Sequence, residues 1–90
     1  MYTRKTTIIN KTGLHARPAS DFVNAAGKFK SRITIKNITE DEGPMNAKSI
    51  IHVLSLGMGP GTEVELSAQG EDEKEAVDFL IELIDSGFGE

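Results

Sequence analysis

The sequence contains no cysteine and no tryptophan, and Tyr2 is its only tyrosine. The lack of cysteine excludes disulfide bonds, thiolate metal sites and cysteine nucleophiles. No apolar run approaches the roughly 20 residues that span a bilayer, and the first residues lack the continuous apolar stretch of a signal peptide. With 38% apolar and 27% charged residues over 90 positions, the composition is that of a small globular protein. We therefore expect one cytoplasmic domain over residues 1–90, without membrane insertion.

Charge is distributed unevenly along the chain. Residues 1–36 hold eight of the ten Lys and Arg residues but only one of the fourteen acidic residues. The formal net charge of the whole chain is −4. Such a chain can present a basic face to an acidic partner or an anionic ligand. Nucleic acid is not expected as a partner, because the chain as a whole is acidic and its five aromatic residues are scattered. The two histidines, His15 and His52, lack metal-ligand spacing, so no metal site is expected.

The spacing of apolar residues predicts alternating strands and helices. Strands are expected where β-branched residues cluster or alternate, and helices where apolar residues recur every three or four positions. The strands are predicted over residues 3–9, over 32–38, near Met45 and over 62–68; the helices begin at Ala16, Ile50 and Asp72 and end at Gly27, Gly57 and Gly87. The order β-α-β-β-α-β-α predicts an α+β open-faced sandwich, a four-stranded antiparallel sheet covered on one face by three helices.

Local signals add detail to this outline. Phe22 lies on the apolar face of the first helix, so we expect it in the core. Asp72 and Glu75 have the spacing of a capping box at the start of the last helix. The segment 37–44 contains three consecutive acidic residues and a Gly-Pro pair, which predicts a solvated turn before the short third strand.

The residues around His15 are the most informative for chemistry. His15 stands just before a helix start, Arg17 follows two residues later, and Pro18 suits the first helical turn, where a missing N–H costs nothing. A helix start offers unsatisfied N–H groups and a partial positive charge, and Arg17 adds a full charge. A phosphoryl group on the imidazole of His15 would be held by both. The alternative, a histidine that caps a helix beside a surface arginine, fits the spacing equally well.

Two segments of the chain resemble a known family. Residues 13–19, Gly-Leu-His-Ala-Arg-Pro-Ala, are similar to the active-site signature of the HPr family, the histidine-containing phosphocarriers of the bacterial phosphoenolpyruvate:sugar phosphotransferase system. Residues 46–50, Asn-Ala-Lys-Ser-Ile, resemble the regulatory-serine region of the same family. The length, the order of elements and the tail over residues 86–90 agree as well, so the resemblance covers essentially the whole chain.

The resemblance implies a role for each residue of the first motif. His15 would accept a phosphoryl group on Nδ1 from phosphorylated enzyme I and pass it to an enzyme IIA domain. Arg17 would neutralise the moving phosphoryl group, and Pro18 would fix the helix start. The protein would then be a stoichiometric phosphohistidine carrier without a cofactor, and not an enzyme.

The second motif implies regulation and partner docking. Ser49 would be phosphorylated by HPr kinase/phosphorylase and would cap the second helix, and the modified form could act with catabolite control protein A. Some of the three apolar residues of that helix should be buried and one or two exposed for docking. The docking residues implied by the family are Ala16, Ser20, Ile50, Ile51 and Leu54. Carriers of this kind are expected to be monomers.

Two other functions remain open from the sequence. One is a regulatory paralogue that carries phosphoryl groups in a nitrogen-related chain and does not serve sugar uptake. The other is a pure interaction module in which His15 is never phosphorylated. The intact combination of His15, Arg17 and Pro18 speaks against the second, because a protein that only binds has no physical need for it.

Overall fold

The computed structural model describes residues 1–90 and consists of four strands and three α-helices. The elements are β1 (Tyr2–Thr7), α1 (Ala16–Ala26), β2 (Arg32–Asn37), β3 (Glu42–Asn46), α2 (Ile50–Ser55), β4 (Glu63–Gln69) and α3 (Glu73–Asp85), followed by a 3₁₀ turn (Gly87–Gly89). The strands form one antiparallel sheet in the order β1-β4-β2-β3. The predicted fold class and order of elements are confirmed. None of the helices combines the length and the apolar character that crossing a bilayer requires.

The core lies between the sheet and the helices. Alternation in β4 directs Val64, Leu66 and Ala68 inward, and all three are buried, as the sequence predicts. α3 contributes its apolar stripe, and α1 contributes Phe22, which is fully buried as expected. Burying a side chain the size of Phe22 contributes about 1.5–3 kcal/mol, so these helices are held mainly by packing on the sheet.

The first and last long elements of the chain are joined by polar contacts. Side chains on the helix-facing side of β1 reach carboxylates of α3. The Tyr2 hydroxyl donates to Asp78 at 2.8 Å, and Arg4 pairs with the same carboxylate at 3.0 Å. The Thr6 hydroxyl donates to Asp85. β1 is therefore fixed by β4 on one edge and by α3 on one face.

Two strands differ from their predicted extent. β1 ends at Thr7, so Ile8 and Ile9 lie beyond it, although Ile8 is buried and bonds through its N–H to Thr62 O at 2.9 Å. β3 includes Glu42, Gly43 and Pro44, which the sequence assigns to a turn. The reason is that β3 is an edge strand, where an unpaired side tolerates proline and exposed polar residues. The turn itself is confined to the residues between Asn37 and Glu42.

The predicted capping box at α3 is absent. Asp72 occupies the N-cap position, but its side chain makes no capping hydrogen bond. It instead accepts hydrogen bonds from the Ser31 hydroxyl and from the N–H groups of Lys30 and Ser31, each N–H at 2.9 Å. These bonds lower the pKa of the Asp72 carboxyl from 3.8 to about 2, the Ser31 hydroxyl contributing most. Asp72 thus ties the start of α3 to the loop between α1 and β2.

Candidate functional site

His15 is the N-cap residue of α1, with extended backbone angles. Its side chain makes no capping hydrogen bond and is exposed to solvent. The imidazole is therefore not occupied in holding the helix start, which is the role that the alternative interpretation of the sequence gives it. Its ring nitrogens are accessible to a reaction partner.

The loop before His15 is fixed by a close approach of two backbone segments. Leu14 is fully buried, and its N–H donates to Met58 O at 2.8 Å. Gly13 lies against the same segment: a Cβ atom at this position would stand 2.5 Å from Met58 O and 2.7 Å from the Cα of Gly59. Gly13 also has a φ of +65°, in the region that favours glycine. Only glycine fits here, which explains its place in the motif.

Ala16 is in a left-handed conformation. Its φ is +48°, which is uncommon for a residue with a Cβ and costs of order 1–3 kcal/mol. The flanking residues maintain it, because Leu14 is buried on one side and Pro18 and Ala19 are buried on the other. The chain between these anchors turns outward, and His15, Ala16 and Arg17 are all exposed.

The start of α1 is an electropositive surface. The first turn contains no acidic residue, and the N–H groups of Ala16 and Arg17 have no backbone partner, whereas Ala19 N donates to His15 O at 3.4 Å. Arg17 forms no ion pair and no side-chain hydrogen bond, so its guanidinium is free. The start of this 11-residue helix, with an unpaired arginine in its first turn, is suited to binding an anion such as a phosphoryl group. No group of acidic, His or Cys side chains here could hold a metal ion.

Ser49 caps α2 as the sequence predicts. Its side-chain oxygen accepts a hydrogen bond from the N–H of His52 at 3.3 Å. α2 packs against α1, and Met58, which follows α2, contacts the loop before His15. α2 has six residues and a length of about 9 Å; Ser49 stands at its start, and Met58, to which Leu14 N donates, follows its end.

The apolar residues of α2 are more exposed than predicted. Ile50 is 37% exposed, Ile51 74% and Leu54 42%. The expectation that some of the three belong to the core is wrong, because Val53 is the residue of α2 that is fully buried. The three residues form a surface, here called the α2 patch, between Ser49 and the His15 loop. Exposed aliphatic side chains in one cluster are typical of a protein contact surface.

The chain matches a family model over almost its whole length. The model, described as "PTS HPr component phosphorylation site", covers residues 2–86. The chain belongs to the HPr family. Its members are phosphocarrier proteins, and the phosphocarrier protein HPr of Pseudomonas putida is 42% identical over 90 residues, which are 100% of this chain and 98% of that protein.

Two further relatives place the fold within this family. A crystal structure of HPr from Thermoanaerobacter tengcongensis superposes with a TM-score of 0.94 at 50% identity, covering 100% of this chain and 98% of the other. The multiphosphoryl transfer protein of Haemophilus influenzae is 42% identical over 84 residues, which are 93% of this chain and 17% of that protein. A segment similar to this chain therefore also forms a small part of a much longer protein.

Sequence reasoning missed a group of polar contacts within the loop over residues 8–15, which carries His15 as the candidate phosphoryl acceptor and is here called the acceptor loop. Asn10 is 5% exposed, and its Nδ2 donates to Gly13 O at 2.9 Å and to a carboxylate oxygen of Glu90 at 3.3 Å. The Thr12 hydroxyl donates to the other oxygen of Glu90 at 2.9 Å. The Thr12 hydroxyl lowers the pKa of the Glu90 carboxyl below its ordinary value, and Asn10 acts in the same direction. Glu90 is about 80 residues from Asn10 in sequence, so no local pattern could have revealed the contact.

Proposed function

We propose that the protein carries phosphoryl groups on His15, accepting each from phosphorylated enzyme I and passing it to an enzyme IIA domain of the sugar phosphotransferase system. The observation that carries the proposal is the exposed imidazole of His15, free of any capping bond, at an electropositive helix start. Membership of the HPr family supports the same role.

Each residue of the motif has a chemical task in this proposal. A ring nitrogen of His15, Nδ1 by the family resemblance, attacks the phosphorus as the bond between phosphorus and the donor group of enzyme I breaks. The N–P bond formed on His15 breaks in turn when the next acceptor takes the phosphoryl group. The free guanidinium of Arg17 and the N–H groups of the first turn face the charge on the phosphoryl oxygens, which matters because phosphoryl transfer depends mainly on positioning and charge stabilisation. Pro18 fixes the first turn. The partners supply the other half of each reaction, so the protein acts as a carrier and not as an enzyme.

The α2 patch is the proposed docking surface for enzyme I and enzyme IIA. It is exposed, apolar and adjacent to the acceptor loop, and small apolar clusters supply much of the energy of protein contacts. Ala16 and Ser20, which are exposed on α1, would complete it. The protein would act as a monomer, with one patch for successive partners.

Phosphorylation of Ser49 is proposed as the regulatory step, catalysed by HPr kinase/phosphorylase. A phosphate on Ser49 adds a charge of about −1.5 to −2 beside the α2 patch, which would weaken docking of an acidic partner. The serine-phosphorylated protein could then bind catabolite control protein A. The position of Ser49 at the edge of the patch supports this role.

Phosphoryl transfer from enzyme I tests the function directly. The protein is incubated with phosphoenolpyruvate, Mg²⁺ and a bacterial enzyme I, and its intact mass is measured at neutral and at acid pH. We expect one acid-labile phosphoryl group on the wild type and none on His15→Ala. The matched control is His52→Ala, which removes the other histidine and should be phosphorylated normally. His15→Ala should change the free energy of unfolding by less than about 0.5 kcal/mol, because the side chain is exposed.

Two results would contradict the proposal. Phosphorylation of His15→Ala at the wild-type rate would show that another residue is the acceptor. If the wild type accepts nothing from an enzyme I that is active on another carrier, the pure interaction module or the nitrogen-related chain is favoured. A donor from that second chain would then distinguish the two.

A further inference from the structure

The tail of the chain bends back towards the acceptor loop. Gly87, Phe88 and Gly89 all have left-handed backbone angles, with φ values of +70°, +56° and +77°, and the N–H of Glu90 donates to Gly87 O at 3.0 Å. The turn brings the Glu90 carboxylate against Thr12 and Asn10, at 2.9 Å and 3.3 Å respectively.

The conformation of Phe88 indicates that the tail is held in place. A phenylalanine with positive φ is strained and persists only where its surroundings over-determine it. Here its ring packs against the hydrophobic core, and the glycines on either side take up the rest of the turn. Packing of Phe88 thereby fixes the turn before Glu90, and two hydrogen bonds hold the Glu90 carboxylate against the loop.

The contact continues from Glu90 to the residues that carry His15. Asn10 is almost fully buried. Its side-chain NH₂ group donates to Glu90, Thr12 and Gly13. Asn10 Nδ2 donates to Gly13 O at 2.9 Å, and Gly13 is two residues before His15. The hydrogen bonds from Thr12 and Asn10 to Glu90 have an ionised acceptor, and such bonds are stronger and more directional than neutral ones.

We propose that Glu90 is a positioning residue for phosphoryl transfer: through Thr12 and Asn10 it fixes the Gly13 end of the acceptor loop and thereby the direction of the His15 imidazole. The inference rests on the proposed function of His15 and deepens it. It assigns no contact between Glu90 and the phosphoryl group. Without Glu90 the loop keeps the bond from Leu14 N to Met58 O, so the fold should persist while the acceptor becomes less well placed.

The test compares Glu90→Ala with a matched carboxylate deletion, Glu82→Ala. Glu82 is exposed on α3, and its side chain forms no hydrogen bond or ion pair, so the control removes the same charge without touching the loop. Initial rates of phosphoryl acceptance from enzyme I are measured against protein concentration. For Glu90→Ala we expect kcat to fall about three- to tenfold, since small misplacements of a reacting group are costly, with KM unchanged because the α2 patch is intact. The kinetic constants of Glu82→Ala should equal those of the wild type.

Two variants of Thr12 separate positioning from general loosening. Thr12→Val keeps the shape but removes the hydroxyl, and it should lower kcat like Glu90→Ala; Thr12→Ser keeps the hydroxyl and should restore the rate. The double variant Thr12→Val/Glu90→Ala should be no slower than the slower single variant, because Glu90→Ala already removes the Thr12–Glu90 bond that Thr12→Val deletes. Amide hydrogen exchange at Gly13 should accelerate about three- to tenfold in Glu90→Ala, while exchange in β4 stays unchanged.

The outcomes are distinct. An unchanged kcat in Glu90→Ala, with an active wild type, would overturn the positioning role and leave the proposed function standing. A rise in KM with constant kcat would also overturn it, since the tail would then serve docking. A wild type that accepts no phosphoryl group would overturn the function and the positioning role together.

Discussion

Replacing Gly13 with alanine tests how tightly the acceptor loop is built. The added Cβ would lie 2.5 Å from Met58 O, a distance that forces one backbone segment to move. The new residue would also have to adopt the φ of +65°, which costs an L-residue roughly 1–2 kcal/mol. Moving the segments apart weakens the bond from Leu14 N to Met58 O, and a buried N–H left without a partner costs about 1–3 kcal/mol.

Together these effects should lower the free energy of unfolding by about 3 kcal/mol. For a domain of this size that corresponds to a fall in Tm of roughly 10–25 °C. Thermal unfolding followed by circular dichroism measures the change. At temperatures where the variant is still folded, phosphoryl acceptance should also slow, because the displaced loop carries His15.

Two other glycines serve as controls that separate the causes. Gly57 has a φ of +58°, but a Cβ there meets nothing within 4 Å, so Gly57→Ala reports the conformational cost alone, about 1 kcal/mol. Gly59 has neither the positive φ nor a neighbour within 4 Å, and Gly59→Ala should be neutral or slightly stabilising. The reasoning is refuted if Gly13→Ala is no more destabilised than Gly57→Ala, because the close approach to Met58 would then have no energetic consequence.

Two further predictions concern charge. Because hydrogen bonds lower the pKa of Asp72 from 3.8 to about 2, the unfolded chain takes up a proton below about pH 4 that the folded chain still lacks, and stability falls as the pH drops towards 2. Asp72→Asn should flatten this part of the curve of Tm against pH. The control is Glu71→Gln, at an exposed neighbouring residue without side-chain hydrogen bonds, which should leave the slope unchanged. Equal slopes for the two variants would contradict the lowered pKa of Asp72 as the cause. Ser49→Ala should lower the free energy of unfolding by about 0.5–1 kcal/mol, because it removes the side chain that caps α2. Ser49→Asp should keep the cap, and its negative charge should slow phosphoryl acceptance from enzyme I. Equal acceptance rates for Ser49→Asp and Ser49→Ala would argue against electrostatic control.

The periodic elements could be predicted because their signal is local. The alternation of Val64, Leu66 and Ala68 specifies one buried face, and the observed strand is displaced by a single residue from the predicted one. The apolar stripe of α3 likewise identifies the helix and its buried side. The position of His15 at a helix start follows from the residues beside it, so the centre of the candidate site was accessible from the sequence as well.

The features that escaped prediction depend on residues far apart in the chain. Asp72 looks like a helix cap by spacing, but its actual partners are 41 and 42 residues away. Glu90 reaches Thr12 across 78 residues. In α2, hydrophobicity alone could not distinguish Val53, which faces the core, from Ile51, which faces solvent. Local patterns report the period of an element, whereas its orientation and its long-range partners are set by packing.

The attachment of β1 to α3 has a consequence for how the chain acquires its structure. Tyr2 contacts Asp78 across 76 residues, and β1 pairs only with β4, so β1 has no partner in the sheet until residues 63–69 have been made. Contacts of such sequence separation slow folding, because the chain must close a long loop before they stabilise anything. The acceptor loop, which runs from the end of β1 to α1, likewise depends on a distant contact, because Leu14 N donates to Met58 O. We therefore expect the geometry around His15 to form only after residues well beyond α1 are available.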